Sequence, residues 1–128
     1  MALPQRHRLR GARVFEQLYR RGRRYESPLL VLRVMAADET LLPPEQRRHP
    51  ASSWRCAVVV STKVSKRAVQ RNRLRRLLHG HLLACAPESA TPTPRWLLIS
   101  LRPGSQAAEP DLLLGECTDL LRRAGLTP

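Results

Sequence analysis

The chain has 128 residues, 42% of them apolar, and a net charge of +13. That is one domain's length with enough apolar side chains for a core, so folding requires neither a disulfide framework nor a structural metal. Such a charge points to nucleic acid or an anionic membrane surface as partner, and no apolar run is long enough to cross a bilayer: the longest, Leu29–Ala37, is interrupted by Arg33.

Residues 1–9 read as a loose basic arm. No signal peptide is visible, because Arg6, Arg8, Arg10 and Arg13 break up the start. Ala12–Arg21 follows as a short helix with Gly22 as its C-terminal stop. Phe15 and Tyr19 are spaced i, i+4 and share one face of it. Beyond Pro28, Leu29–Met35 reads as a strand. Ala36–Trp54, with Pro43, Pro44 and Pro50, reads as a long loop that need not be ordered. Arg55–Ser61 is a second strand, buried on both faces at Val58–Val60.

The next helix dominates the functional reading. Lys63–Arg76 holds seven basic side chains in fourteen residues, and no Asp or Glu occurs from Gln46 to Pro87. Ser65 is the candidate N-cap. Leu74, Leu77, Leu78, Leu82 and Cys85 form the core-facing stripe. Arg73 and Arg76 point away from it, and Arg71 and Arg75 lie nearer its edge. Gly80 inside this helix costs about 1 kcal/mol relative to Ala. Trp96–Leu101 is a third strand, ended by Arg102-Pro103-Gly104. Pro110 and Asp111 suit the first turn of a last helix. Leu113, Cys117, Leu120, Leu121 and Ala124 form its apolar face, and Gly125 can end it. The order is helix, strand, strand, helix, strand, helix: a small sheet covered by helices in one domain.

A basic helix without acids has no i, i+4 ladder to relieve its repulsion, whereas a polyanion relieves it. Only Lys63 and Lys66 among the 23 basic residues are lysine. Arginine forks onto phosphate and stacks on bases. A second basic cluster, Arg6–Arg24, contains a single acid, Glu16. Phe15 and Tyr19 offer either a small stacking platform or two core aromatics. The other aromatics are Tyr25, Trp54 and Trp96, too few for a surface built mainly on stacking. Cys56, Cys85 and Cys117 are odd in number and form no C-x-x-C pair, which argues for buried thiols, a reducing compartment and no zinc site. His79 and His81 do not share a helix face, so they make a poor metal pair. There is no acidic cluster for two-metal chemistry and no Gly-rich phosphate loop. The residues describe a protein that positions RNA rather than cleaving it unaided, soluble and cytoplasmic.

Val60–Leu78, VSTKVSKRAVQRNRLRRLL, resembles the signature of the bacterial ribonuclease P protein subunit family. Arg8–Arg24 is similar to that family's basic opening and Phe-bearing first helix. The likeness covers the chain except Ala37–Trp54 and Pro87–Pro94. It implies an α+β fold of αβββαβα type with a left-handed βαβ crossover, ribosomal protein S5 domain 2-like. It implies a subunit of an endoribonuclease whose catalytic RNA removes the 5′ leader of precursor tRNA. The required Mg2+ belongs to that RNA, and the protein itself binds no cofactor. The implied partners are the catalytic RNA and the leader, with no membrane and no obligate protein partner. On the matching positions, Arg8, Phe15, Tyr19, Ser61 and Lys63 would form the leader cleft. Lys66, Arg67, Arg71, Asn72, Arg73, Arg75 and Arg76 would face the catalytic RNA. Thr62, Ala57, Val59 and Tyr19 depart from the family pattern, where Lys, Gly, Ser or Thr, and Phe are usual. The alternative is a structural RNA-binding protein, such as a ribosomal protein of similar fold. A DNA-binding regulator lacks helix-turn-helix spacing, and a membrane-surface protein would need the Leu stripe that the core claims.

Overall fold

A computed structural model describes residues 7–42, 44, 54–87 and 94–127. Its main elements are α1 (Ala12–Arg21), β1 (Arg23–Glu26), β2 (Leu30–Ala36), β3 (Trp54–Val59), α2 (Ala68–Cys85), β4 (Arg95–Leu101) and α3 (Pro110–Arg123). This is the αβββαβα order. The four strands form one sheet in the order β1-β2-β4-β3. β2 pairs antiparallel with β1 and β4, and β3 runs parallel to β4, joined to it through α2.

Strand alternation divides the core in two. Leu30, Leu32 and Val34 of β2, Leu97, Ile99 and Leu101 of β4 and Cys56 and Val58 of β3 face α2 and α3. Against them α2 sets Leu74, Leu78 and Leu82, and α3 sets Leu113, Cys117, Leu120 and Leu121. The other face carries Trp96 and Leu98, covered by Val14 and Leu18 of α1 and by Leu9 and Leu42. The central strand β4 is therefore buried on both sides, as its unbroken apolar run requires. Burial pushes the Cys117 thiol up to about 12, with Cys85 nearby adding to the effect. Cys56 is raised as well, by burial and then by Cys117. Both are inert core side chains.

Four details differ from the sequence expectation. The strand β1, which the resemblance implies, is missing from the order read from the residues: it is a four-residue edge with one partly buried side chain, Tyr25, too short to carry a pattern. Its hairpin with β2 is held from α3, where the Glu116 carboxylate accepts from Ser27 Oγ (2.5 Å) and from the Leu29 N–H (3.0 Å). The supposed loose arm is docked where it is described. His7 and Leu9 are buried, Arg8 bridges Cys56, and the Leu9 N–H donates to the Cys56 carbonyl at 3.1 Å. The basic helix starts later than expected, with Arg67 rather than Ser65 at the N-cap. Ser65 Oγ instead accepts from the Arg67 N–H (3.2 Å) and donates to Gln70 Oε1 (2.6 Å).

The fourth concerns Gly22. It ends α1 as expected, but in extended backbone (φ −63°, ψ 136°), not in the left-handed conformation that usually selects glycine there. Its reason is space. A Cβ on Gly22 would lie 2.4 Å from the Leu18 carbonyl oxygen and 3.3 Å from Cβ of Arg33. At Gly80, by contrast, a Cβ would meet nothing, and the structure supplies no reason for that glycine. Most of the long loop after Ala36 lies outside the described residues, except for a 3-10 turn at Glu39–Leu41 and the buried Leu42.

Two buried hydroxyls, on Ser100 and Thr127, have no hydrogen-bond partner among the described residues. Ser100 lies on the α1 side of β4 by alternation. A desolvated hydroxyl without a partner costs about 1–3 kcal/mol. Ser100→Ala should therefore raise the urea midpoint, by a free energy of about 1 kcal/mol. A lowered midpoint would show that the hydroxyl has a bound partner.

Candidate nucleic-acid interface

The basic surface of α2 is built by helical periodicity. Its Leu stripe is held down by the sheet, so residues between the stripe positions must face outward. Asn72, Arg73 and Arg76 are exposed, while Arg71 and Arg75 are half-buried at the stripe's edge, as their spacing predicts. Three of these side chains are tied locally. Arg71 Nη1 donates to the Ser65 carbonyl at 2.9 Å, pinning the loop that enters the helix. Arg75 Nη1 donates to Asn72 Oδ1. Arg73 and Arg76 carry no such tie.

Among the described residues the ion pairs are Arg20–Glu16, Arg24–Glu26, Arg102–Glu26 and Arg123–Asp119. None involves α2. Its first turn has no acid and no side-chain cap. The helix dipole places positive potential at the same end, so the repulsion among these arginines is uncompensated among the described residues. Lys63, Lys66 and Arg67 are exposed too, but they precede the helix, in the turn and bend after β3. The set expected to face the catalytic RNA, which includes Lys66 and Arg67 but not Lys63, is thus a helix face plus the loop before it.

The second predicted set lies on the opposite face of the sheet. Phe15 is partly buried against the α1-side cluster, and Ala57 and Val59 of β3 pack against that same cluster. It is a wall of the surface and part of the core at once. The two β3 departures from the family pattern therefore sit on this same face. Tyr19 is 51% exposed. Ser61 and Lys63 are exposed just beyond the end of β3, and Arg8 lies on its outer side. Thr62 is also exposed, in the turn.

Sequence reasoning missed one neighbour of this set. The Arg33 guanidinium lies 4.7 Å from the centre of the Tyr19 ring, within cation–π range. Arg33 is directly opposite Arg24 across β1–β2. Arg24 pairs with Glu26, whereas Arg33 has no acid among the described residues. The ring and its cation come together only because β2 returns past the end of α1. The near-contact of Gly22 with Arg33 is part of that approach.

The helix also carries a pH-sensitive group. Burial, then the charges of Arg75 and Arg8, hold His79 down at about 4. Burial lowers His81, which bonds Thr118 Oγ1 at 2.8 Å. A depressed histidine contributes stability that is complete above its unfolded value of ~6.5 and is lost as pH falls toward the folded one. Denaturation in urea at pH 7 and pH 5 should show the acid loss. His79→Gln should lose less between the two pH values, with His81 accounting for a remainder. An equal loss in both proteins would remove His79 as a cause.

Among the described residues no three His, Cys, Asp or Glu side chains gather as a metal-ion site. Among those residues, too, no helix is long and apolar enough to cross a membrane.

Residues 3–125 match the family model described as Ribonuclease P. The chain is 56% identical over 126 residues to the ribonuclease P protein component of Parasynechococcus marenigrum (strain WH8102), covering 98% of each chain. It is 52% identical over 129 residues to that of Prochlorococcus marinus (strain MIT 9303), again covering 98% of each. Among solved structures, the RNase P protein of Staphylococcus aureus superposes with a TM-score of 0.74 over 95% of this chain and 98% of that one, at 15% identity. The protein from Thermotoga maritima superposes with a TM-score of 0.67 over 91% and 96%, at 17% identity. At such low identity the two structures speak for the fold. The family model, together with relatives that match at more than half of their positions along nearly the whole length, establishes that this chain belongs to the ribonuclease P protein family.

Proposed function

We propose that this protein works as the subunit that docks the catalytic RNA through α2 while guiding the 5′ leader of precursor tRNA across the α1 face. The observation that carries the reading is the placement of two basic surfaces on opposite faces of one sheet. A single small domain of this kind can hold two RNA segments at once. On α2 and the loop before it, Lys66, Arg67, Arg71, Asn72, Arg73, Arg75 and Arg76 neutralise phosphates and release counterions. Across the sheet, Phe15 and Tyr19 with Arg33 offer an aromatic wall with a cation beside it, suited to unpaired bases. Arg8, Ser61 and Lys63 border that face from β3.

In this reading the protein does no bond breaking. Hydrolysis belongs to the RNA with its own Mg2+, and the protein contributes position and charge. Screening by the arginines lowers the magnesium needed to fold the RNA and bind substrate. The free cysteines suit a cytoplasmic protein. The direct test is cleavage of precursor tRNA by the cognate RNA at low magnesium, with and without the protein. Stimulation is expected, and its absence would reject the role.

The leader contact has its own test. Tyr19→Ala removes an exposed ring with little cost to the core. Affinity for precursor tRNA should fall about tenfold, in the range of one stacked base. Affinity for mature tRNA should not change. Equal losses for both would place Tyr19 outside the leader path.

A further inference from the structure

The basic face of α2 runs into an apolar groove that phosphate neutralisation leaves unused. This groove, with a volume of about 380 Å³, lies between α2 and the segment entering α3. Leu74 and Leu77 form one wall, and Ala108, Pro110 and Leu113 the other. Arg73 and Gln106 also line it. Arg73 is shared with two adjoining hollows, one with Val69, Asn72 and Arg76, the other with Arg67, Val69 and Gln70. The groove and the arginine face are therefore one continuous surface.

We infer that this groove receives one unstacked nucleobase of the catalytic RNA, with Arg73 holding the adjoining phosphate. The inference rests on the reading of α2 as the RNA-docking face. Three observations favour this occupant. The walls are aliphatic, and the flat faces of its bases are the apolar surface an RNA can offer, available where a base is unpaired. The charges are directional. Arg73 has no ion pair among the described residues, whereas Glu109 and Asp111 flank Pro110 on the far wall. A phosphate stays on the α2 side and only the neutral base crosses. Finally, the groove has a polar edge. Gln106 Oε1 accepts from the Gly104 N–H at 2.8 Å, and the Gln106 carbonyl accepts from Gln70 Nε2 at 3.4 Å. The Gln106 amide N–H groups have no partner among the described residues and can donate to an acceptor on a base edge.

Val69, 82% exposed on the same surface, adds apolar contact for the neighbouring sugar. A second copy of this chain is a poor occupant by comparison. It would bring a net charge of +13 against a surface already rich in arginine.

Two variants test the groove without removing an arginine. Ala108→Trp fills it, and Leu77→Gln makes one wall polar. Binding to the cognate ribonuclease P RNA is measured over a range of salt, and base-specific chemical probing is run on each complex. Both variants should bind about tenfold more weakly with the salt slope unchanged, because a neutral base contact releases no counterions. One nucleotide should be protected at its base by the natural protein and reactive in the variant complexes. Should Ala108→Trp melt early by circular dichroism, Leu77→Gln carries the test. Unchanged affinity with no protected base overturns the inference. So does a concentration-dependent dimer of the natural protein, seen by sedimentation without RNA, that Ala108→Trp abolishes. If Arg73→Gln with Arg76→Gln leaves both affinity and salt slope intact, the docking reading of α2 itself fails, and the groove inference with it.

Discussion

Replacing Arg71, Arg73 and Arg76 together with glutamine is expected to weaken binding to the cognate RNA by about two powers of ten near physiological salt. The plot of log affinity against log salt should lose about two to three units of slope, because each lost phosphate contact removes roughly 0.7–0.9 of a released counterion. The slope is the stronger readout. A folding defect lowers the active fraction at every salt concentration and leaves the slope alone. The three arginines should not contribute equally. Arg73 and Arg76 are exposed and untied, so their change acts on RNA directly. Arg71 also holds the Ser65 carbonyl at 2.9 Å. Its loss frees the loop carrying Lys63, Lys66 and Arg67, and stability falls by about 1 kcal/mol or more. The double variant Arg73→Gln with Arg76→Gln separates the two effects. Ribonucleoprotein assembly undiminished by the triple change would remove the basis for treating α2 as the docking face.

Gly22→Ala should be the most damaging single methyl in the described chain. Elsewhere, a glycine in ordinary backbone changed to alanine gains about 0.4–1 kcal/mol, through the unfolded state. Gly22 has such a backbone, with φ −63°. Yet its Cβ would sit 2.4 Å from the Leu18 oxygen, which already accepts from the Gly22 N–H at 3.0 Å. Neither atom is the flexible end of a side chain. The end of α1 must move, at a cost of about 1–3 kcal/mol typical of overpacking. That cost exceeds the entropic gain, so net destabilisation is expected in urea. The shift would also pull Tyr19 from Arg33, whose Cβ lies 3.3 Å from the same site. Precursor tRNA should then bind more weakly, as with Tyr19→Ala. A Gly22→Ala protein as stable as the natural one would show that the helix end yields freely.

The parts of this protein legible beforehand are those written in short-range patterns. The span of α1, the Leu stripe of α2 and the Pro110 start of α3 follow from helical periodicity and end chemistry. The outward turn of Arg73 and Arg76 follows from the same stripe. The resemblance carried by the Arg71-Asn72-Arg73 step supplied the αβββαβα order, which composition alone had left one strand short. The misplaced start of α2 has a local cause. Ser65 bonds the Arg67 N–H as a cap would, but two residues early, while the helix itself begins at Ala68.

Charge and periodicity along the chain decide that this protein has an arginine face free of acids and a core to mount it on. Both depend on neighbours a few residues apart. Pairing at a distance decides the rest. β1 exists because Glu116, far along the chain, holds its turn. His7 and Leu9 are ordered because β3 offers them an edge. Arg33 reaches Tyr19 because a glycine lets a strand and a helix end nearly touch. Residues far apart in the chain meet through contacts that only the closed fold creates, and no local pattern encodes them.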